Sequence, residues 1–157
     1  MRVEEMEAGR ELDALVAETL GWKLRGPYKM GSYKVLGCKI ERKPEMRWIR
    51  PENLALGCDE YGIHYHETGW FGVGSPLLHF STDIAAILPV AEQVVGTGHI
   101  KIKLMPPDEW NELYLAQVAL WLGYIDPVRT AAEAATGGQA IALALARAVV
   151  KAKETTP

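Results

Sequence analysis

Phe80-Ser81-Thr82-Asp83-Ile84-Ala85-Ala86 is the point at which the chain changes character. Before it, glycines, aromatics and short β-branched runs follow one another; after it come longer segments with a clear period. Ser81 and Thr82 carry hydroxyls that can accept hydrogen bonds from the first free amides of a helix. Asp83 adds a negative charge at the positive end of the helix dipole. The stretch therefore predicts a helix that starts at Ser81 or Thr82 and buries Ile84, Leu88, Ala91 and Val95. Pro89 within it deprives the Ala85 carbonyl of its amide, so a kink is expected there.

Further along, Ile100 and Ile102 alternate with Lys101 and Lys103, the pattern of a half-buried strand over 99–104. Residues 111–122 fit two patterns. Trp110, Leu113, Tyr114, Gln117, Val118 and Trp121 recur at helical spacing, whereas Tyr114, Ala116, Val118, Leu120 and Leu122 alternate as in a strand. Thr136 and Gln139 form a capping-box pair ahead of Ile141, Leu145, Ala148, Val149 and Ala152, which marks a last helix. Lys153 to Pro157 read as a disordered tail. On the N-terminal side, Leu12, Leu15, Val16, Thr19 and Leu20 share one helical face from about Arg10, and Gly21 is placed to stop that helix. Between Trp22 and Gly74 we expect two or three short strands, at 33–40, 47–49 and 62–66. Wide loops join them, one centred on Arg42-Lys43-Pro44-Glu45.

The chain has 157 residues, enough for one domain with one core, which we place over 1–152. Its 48% hydrophobic and 24% charged content is that of a globular protein. Met1 to Arg10 is charged and lacks the apolar run of a secretory signal. The longest apolar stretch, Ala140 to Val150, is interrupted by Arg147, so no membrane span is expected. These features lead us to expect a cytoplasmic protein, with Cys38 and Cys58 as free thiols. Net charge is −3, but it is unevenly spread. Residues 23–50 hold nine basic side chains against two acidic ones, while the remainder holds eight against eighteen. Such polarity attracts anionic ligands.

Three pieces of sequence occur in a telling order. Glu11-Leu12-Asp13-Ala14-Leu15-Val16-Ala17-Glu18 comes first, Ser81 to Ala86 second, and Ala132-Glu133-Ala134-Ala135-Thr136 before an alanine-rich helix third. Together they resemble the phage ABA-sandwich domain of Bacillus-type phages and prophages. That family tends to read Glu-Leu-Asp-x-Leu-Val-Ala-Glu, then Tyr-Ser-Thr-Asp-Ile-Ala-Ala. Its terminal helix usually opens Thr-Ala-Pro, where this chain has Thr136-Gly137-Gly138. The resemblance implies an α+β fold, an α/β/α sandwich whose mostly antiparallel sheet has helices on both faces. It favours the strand for 111–122, hairpinned with 99–104. It brings no catalytic motif, and the basic segment within 23–74 is where this chain diverges from the pattern.

That segment is the first candidate for function. Arg42, Lys43, Arg47 and Arg50 lie close in sequence, with Trp48 between the last two and Tyr28 and Tyr33 upstream. Guanidinium groups can bond phosphate in pairs, and indole or phenol rings can stack on a base. The plainer reading is a solvated basic loop or a subunit contact. Cys38, Cys58, His64 and His66 are the right residue types for zinc but lack the paired spacing of zinc modules. His64, His66 and Glu67 lack a nucleophile or carboxylate pair for hydrolysis. Gly69, Gly72 and Gly74 match no phosphate-loop pattern and read as a flexible loop, with Trp70-Phe71 as an exposed interface or lid. Trp22, Trp110 and Trp121 adjoin apolar stripes and read as core.

From these features we expect a non-enzymatic, cofactor-free phage or prophage protein, homo-oligomeric, that binds a phosphate-bearing small molecule such as a nucleotide. A sponge that sequesters host nucleotide immune signals would need cations, aromatics and no catalytic group. The alternatives are a protein-interaction inhibitor of a host factor, with the basic segment and Trp70-Phe71 as interface, and a nucleic-acid-binding accessory protein.

Overall fold

The computed structural model describes residues 2–28, 32–41, 45–51, 63–66, 69–72, 77–123 and 126–156. After a single 3₁₀ turn at Val3–Glu5, the elements in chain order begin with α1 (Arg10–Thr19) and β1 (Lys23–Tyr28). Then come β2 (Ser32–Val35), β3 (Cys38–Glu41), β4 (Glu45–Ile49), β5 (Ile63–His66) and β6 (Gly69–Gly72). The remainder is α2 (Ile84–Val95), β7 (His99–Met105), β8 (Tyr114–Trp121), β9 (Val128–Ala134) and α3 (Gly137–Thr155). The fold is mixed α+β, as expected, and every described strand pair is antiparallel. None of the described helices is long and apolar enough to cross a membrane.

The chain forms two compact units, one of Met1–Thr19 with Leu78–Pro157 and one of Leu20–Leu77. The first is built on the sheet β7-β8-β9. Residues 111–122 thus supply a strand, hairpinned with β7 so that Leu104 stands opposite Ala116. The turn between them explains why the helical alternative loses. Asp108 accepts hydrogen bonds from the Trp110 and Asn111 amides, both at 2.8 Å, and Asn111 accepts one from the Leu113 amide. Those side chains hold the backbone in turns up to the start of β8.

Ala116, Val118, Leu120, Val128, Thr130 and Ala132 share one buried face of the sheet. There α3 packs on β8 and β9, with α1 and α2 packed against α3. Ala140, Ala144 and Ala148 are fully buried, and such small side chains let helix and sheet approach closely. The Thr130 hydroxyl donates to the Ala144 carbonyl at 2.6 Å, satisfying the one polar side chain among those six residues.

Three details of this unit differ from the sequence expectation. The cap of α2 is Asp83, whose carboxylate accepts from the Ala85 amide at 2.9 Å, because Ser81 is buried and committed elsewhere. The stripe turns accordingly to Ile87, Val90, Ala91 and Val95. At the other end α3 runs to Thr155, so Lys153 and Glu154 continue a helix instead of starting a disordered tail. The Thr155 and Thr156 hydroxyls both donate to the Ala152 carbonyl, adding to the bond that carbonyl accepts from the Thr156 amide.

In the second unit the strands pair as β1 with β4, β2 with β3, and β5 with β6. Expected as one strand, 33–40 is a hairpin with a two-residue turn at Leu36 (φ 50°) and Gly37 (φ 81°). Two successive positive φ values match the turn that right-handed strand twist favours. Trp70 and Phe71, expected in a loop, stand in β6 opposite Tyr65 and His64. Trp22, Trp48 and Ile49 are buried.

Candidate functional site

The face of β7-β8-β9 turned away from α3 carries a different chemistry. Opposed residues of antiparallel strands share a face, so the register sets two adjacent rungs there. One is Lys101, Ala119 and Arg129; the other is Lys103, Gln117 and Ala131. Strand spacing puts Lys101 and Arg129 about 10 Å apart at their Cα atoms, and Lys103 about 7 Å along the strand from Lys101. The alanines form a low floor between the longer side chains. The result is an open groove of about 590 Å³ with these six residues in its lining, within the size range of ligand sites.

At one end of the groove the next rung pairs His99 with Trp121, whose rings stack at 4.4 Å and 12°. The Arg129 guanidinium lies 5.7 Å from the centre of the Trp121 ring, which restricts it by cation–π attraction. Trp121, expected as core, is half-buried and serves as that wall. Glu4 also lines the groove, but Lys151 meets its carboxylate at 2.6 Å. That hydrogen-bonded ammonium holds the Glu4 carboxyl below its ordinary value. The acid in the lining is thus countered by a cation, while Lys101, Lys103 and Arg129 give the groove a net positive potential. Glu133 lies further along the same face, outside the lining.

The residues singled out in the basic segment fall in the second unit. Arg42 and Lys43 lie outside the described residues. Tyr28, Tyr33 and Arg47 take positions in β1, β2 and β4, with Arg47 directly opposite Arg25 and Tyr28 opposite Glu45. Trp48 is 7% exposed and belongs to the core, so it offers no face to a ligand. Arg50 follows β4, one step beyond the Lys23–Ile49 pair, and its guanidinium lies 4.9 Å over the Trp22 ring. Of the expected set, Trp48 and Arg50 are therefore tied into the packing of this unit. No group of three metal-binding side chains gathers among the described residues, and Cys58 lies outside them.

Lys101 and Lys103 are visible in the sequence as the polar side of a strand. Arg129 and Gln117 carry no local signal, because only the register across three strands brings them beside those lysines. Trp110, expected as core, is instead 92% exposed at the hairpin tip. No family model, curated protein or solved structure matches this chain.

Proposed function

We propose that the protein binds a phosphate-bearing small molecule, without chemical conversion, in the groove on the open face of β7-β8-β9. The observation that carries this reading is the spacing of three cations around a floor of small side chains. Lysine supplies a compact point charge and arginine a planar pair of donors, which together suit the oxygens of one phosphate or of two linked ones. Gln117 adds an uncharged donor and acceptor for a base or sugar. In the phage setting that the sequence resemblance implies, the ligand is a host nucleotide signal and the outcome is sequestration.

The test is calorimetric titration at low salt with pyrophosphate, mononucleotides and cyclic dinucleotides. At least one should bind, and Arg129→Ala should weaken it by about tenfold or more, since a charge-assisted hydrogen bond contributes about 1.5–3 kcal/mol. Absence of binding across the panel, or undiminished binding to Arg129→Ala, would overturn the groove as the site. Affinity that is indifferent to the base and falls steeply with salt on long strands would instead indicate nucleic acid.

A further inference from the structure

The two edges of the β7-β8-β9 sheet are treated differently. On the β9 side, Arg147 donates to the Ala131 carbonyl at 2.8 Å and Lys151 to the Arg129 carbonyl at 3.4 Å. Arg147 also donates through Nε and Nη2 to the Met6 carbonyl, drawing the N-terminal segment alongside. These contacts cap the edge. They also fix the orientation of every strand. Carbonyls of Arg129 and Ala131 that face α3 side chains point away from β8, so Thr130 and Ala132 are the residues bonded to it. A residue's N–H and C=O leave an antiparallel strand on the same side, and successive residues alternate. Ala116 and Val118 therefore face β9, Gln117 and Ala119 face β7, and Lys101 and Lys103 bond inward. The outward backbone groups of β7 belong to Ile100, Ile102 and Leu104.

Among the described residues no strand pairs with that outer edge. It is seven residues long. Its two sides differ in chemistry. Ile102 and Leu104, on the helix-bearing side, are 39% and 40% exposed. Lys101 and Lys103, on the groove side, are exposed as well. An unpaired edge of this kind is a template for another strand.

We propose that the outer edge of β7 is a docking site for an extended segment of a partner protein in which acidic and apolar residues alternate. The acidic side chains lie on the groove side against Lys101 and Lys103, and the apolar ones extend the surface of Ile102 and Leu104. The same lysines reject a second copy of this chain. In the full-overlap antiparallel register, Lys101 of one copy stands opposite Lys103 of the other, and like charges placed so are destabilising. The edge thus discriminates by charge, as specific interfaces do. Just beyond β7, the Asp108 turn holds Trp110 out at 92% exposure, a large anchor next to the docking strand.

The probe is a fluorescein-labelled heptapeptide alternating valine and glutamate, with a valine–lysine peptide as its counterpart. The glutamate peptide should bind and the lysine peptide should not. On binding, hydrogen exchange should slow at the Ile100, Ile102 and Leu104 amides and stay unchanged at Lys101 and Lys103, which are already bonded to β8. The substitution Ile102→Pro removes an outward N–H and no ladder bond, so it should cut affinity at least tenfold; Lys103→Glu should do the same. Equal binding of both peptides, or binding without protection of those three amides, would overturn the proposal. So would sedimentation showing a dimer whose exchange protection maps to β7. The exchange pattern of the unaltered chain decides the matter even if Ile102→Pro fails to fold. Arg129→Ala should leave the glutamate peptide bound, which separates failure here from failure of the nucleotide groove.

Discussion

Asp13 and Ser81 stand 68 residues apart in sequence and meet in the interior, each 1% exposed. The Asp13 carboxylate accepts from the Ser81 amide at 2.7 Å, and its other oxygen lies 3.6 Å from Arg10. The Ser81 hydroxyl in turn accepts from the Gly9 amide at 2.9 Å. Two of the three sequence stretches that suggested a family are thus two halves of one clamp, which holds the start of α1 to the approach of α2. Replacing Asp13 by alanine leaves the Ser81 amide buried without an acceptor. We expect a loss of about 2–4 kcal/mol in urea unfolding, with Asp13→Asn recovering part of it. Binding of either probe by the folded fraction should be unaffected, because the clamp touches neither surface. At this scale the sequence showed which residues were special but not why. A capping role for Ser81 is the local reading, and a long-range bond overrode it.

At the scale of elements, the turn between β2 and β3 carries a visible mismatch. Leu36 adopts φ 50° while 100% exposed, so a branched side chain bears a left-handed backbone with no packing to offset it. Leu36→Asn should stabilise the hairpin by about 1 kcal/mol, read as slower amide exchange at Val35 and Cys38. The opposite sign is expected at α3, where Arg147 bonds two backbone carbonyls. Burial also lowers its pKa, with the guanidinium still charged at neutral pH. Arg147→Leu should lower stability by about 1–3 kcal/mol, and Arg147→Lys should recover little, since a lysine cannot reach both carbonyls with a planar fork. Helices α1, α2 and α3 were legible because each has an apolar period and a stop or cap. The turn at Leu36 was not, since leucine is a poor residue for that conformation and gives no turn signal. Residues 111–122 are ambiguous by period alone, and the forward bonds of Asp108 and Asn111 into the backbone decide for the strand.

At the scale of the whole molecule, the composition change at Trp22 and again near Gly74 was a fair guide, for it nearly coincides with the Leu20–Leu77 unit. Local charge density and strand register gather cations in different places. Nine cations in one segment drew attention to Arg42, Lys43, Arg47 and Arg50, yet Arg50 lies over Trp22, and Trp48 is core. Three cations gathered by strand register make a groove that no local count of charge reveals. The clamp between Asp13 and Ser81 has a further consequence, for the order of events as the chain is made. At about 5–20 residues per second, a ribosome that has released α1 needs roughly 3–12 s more to deliver Ser81. Arg147, which holds Met6, comes later still. The described strand pairs of Leu20–Leu77 close within that stretch and can form while synthesis continues. Helix α1 is therefore made well before the residues it docks against, and until then Asp13 is a charge waiting in water.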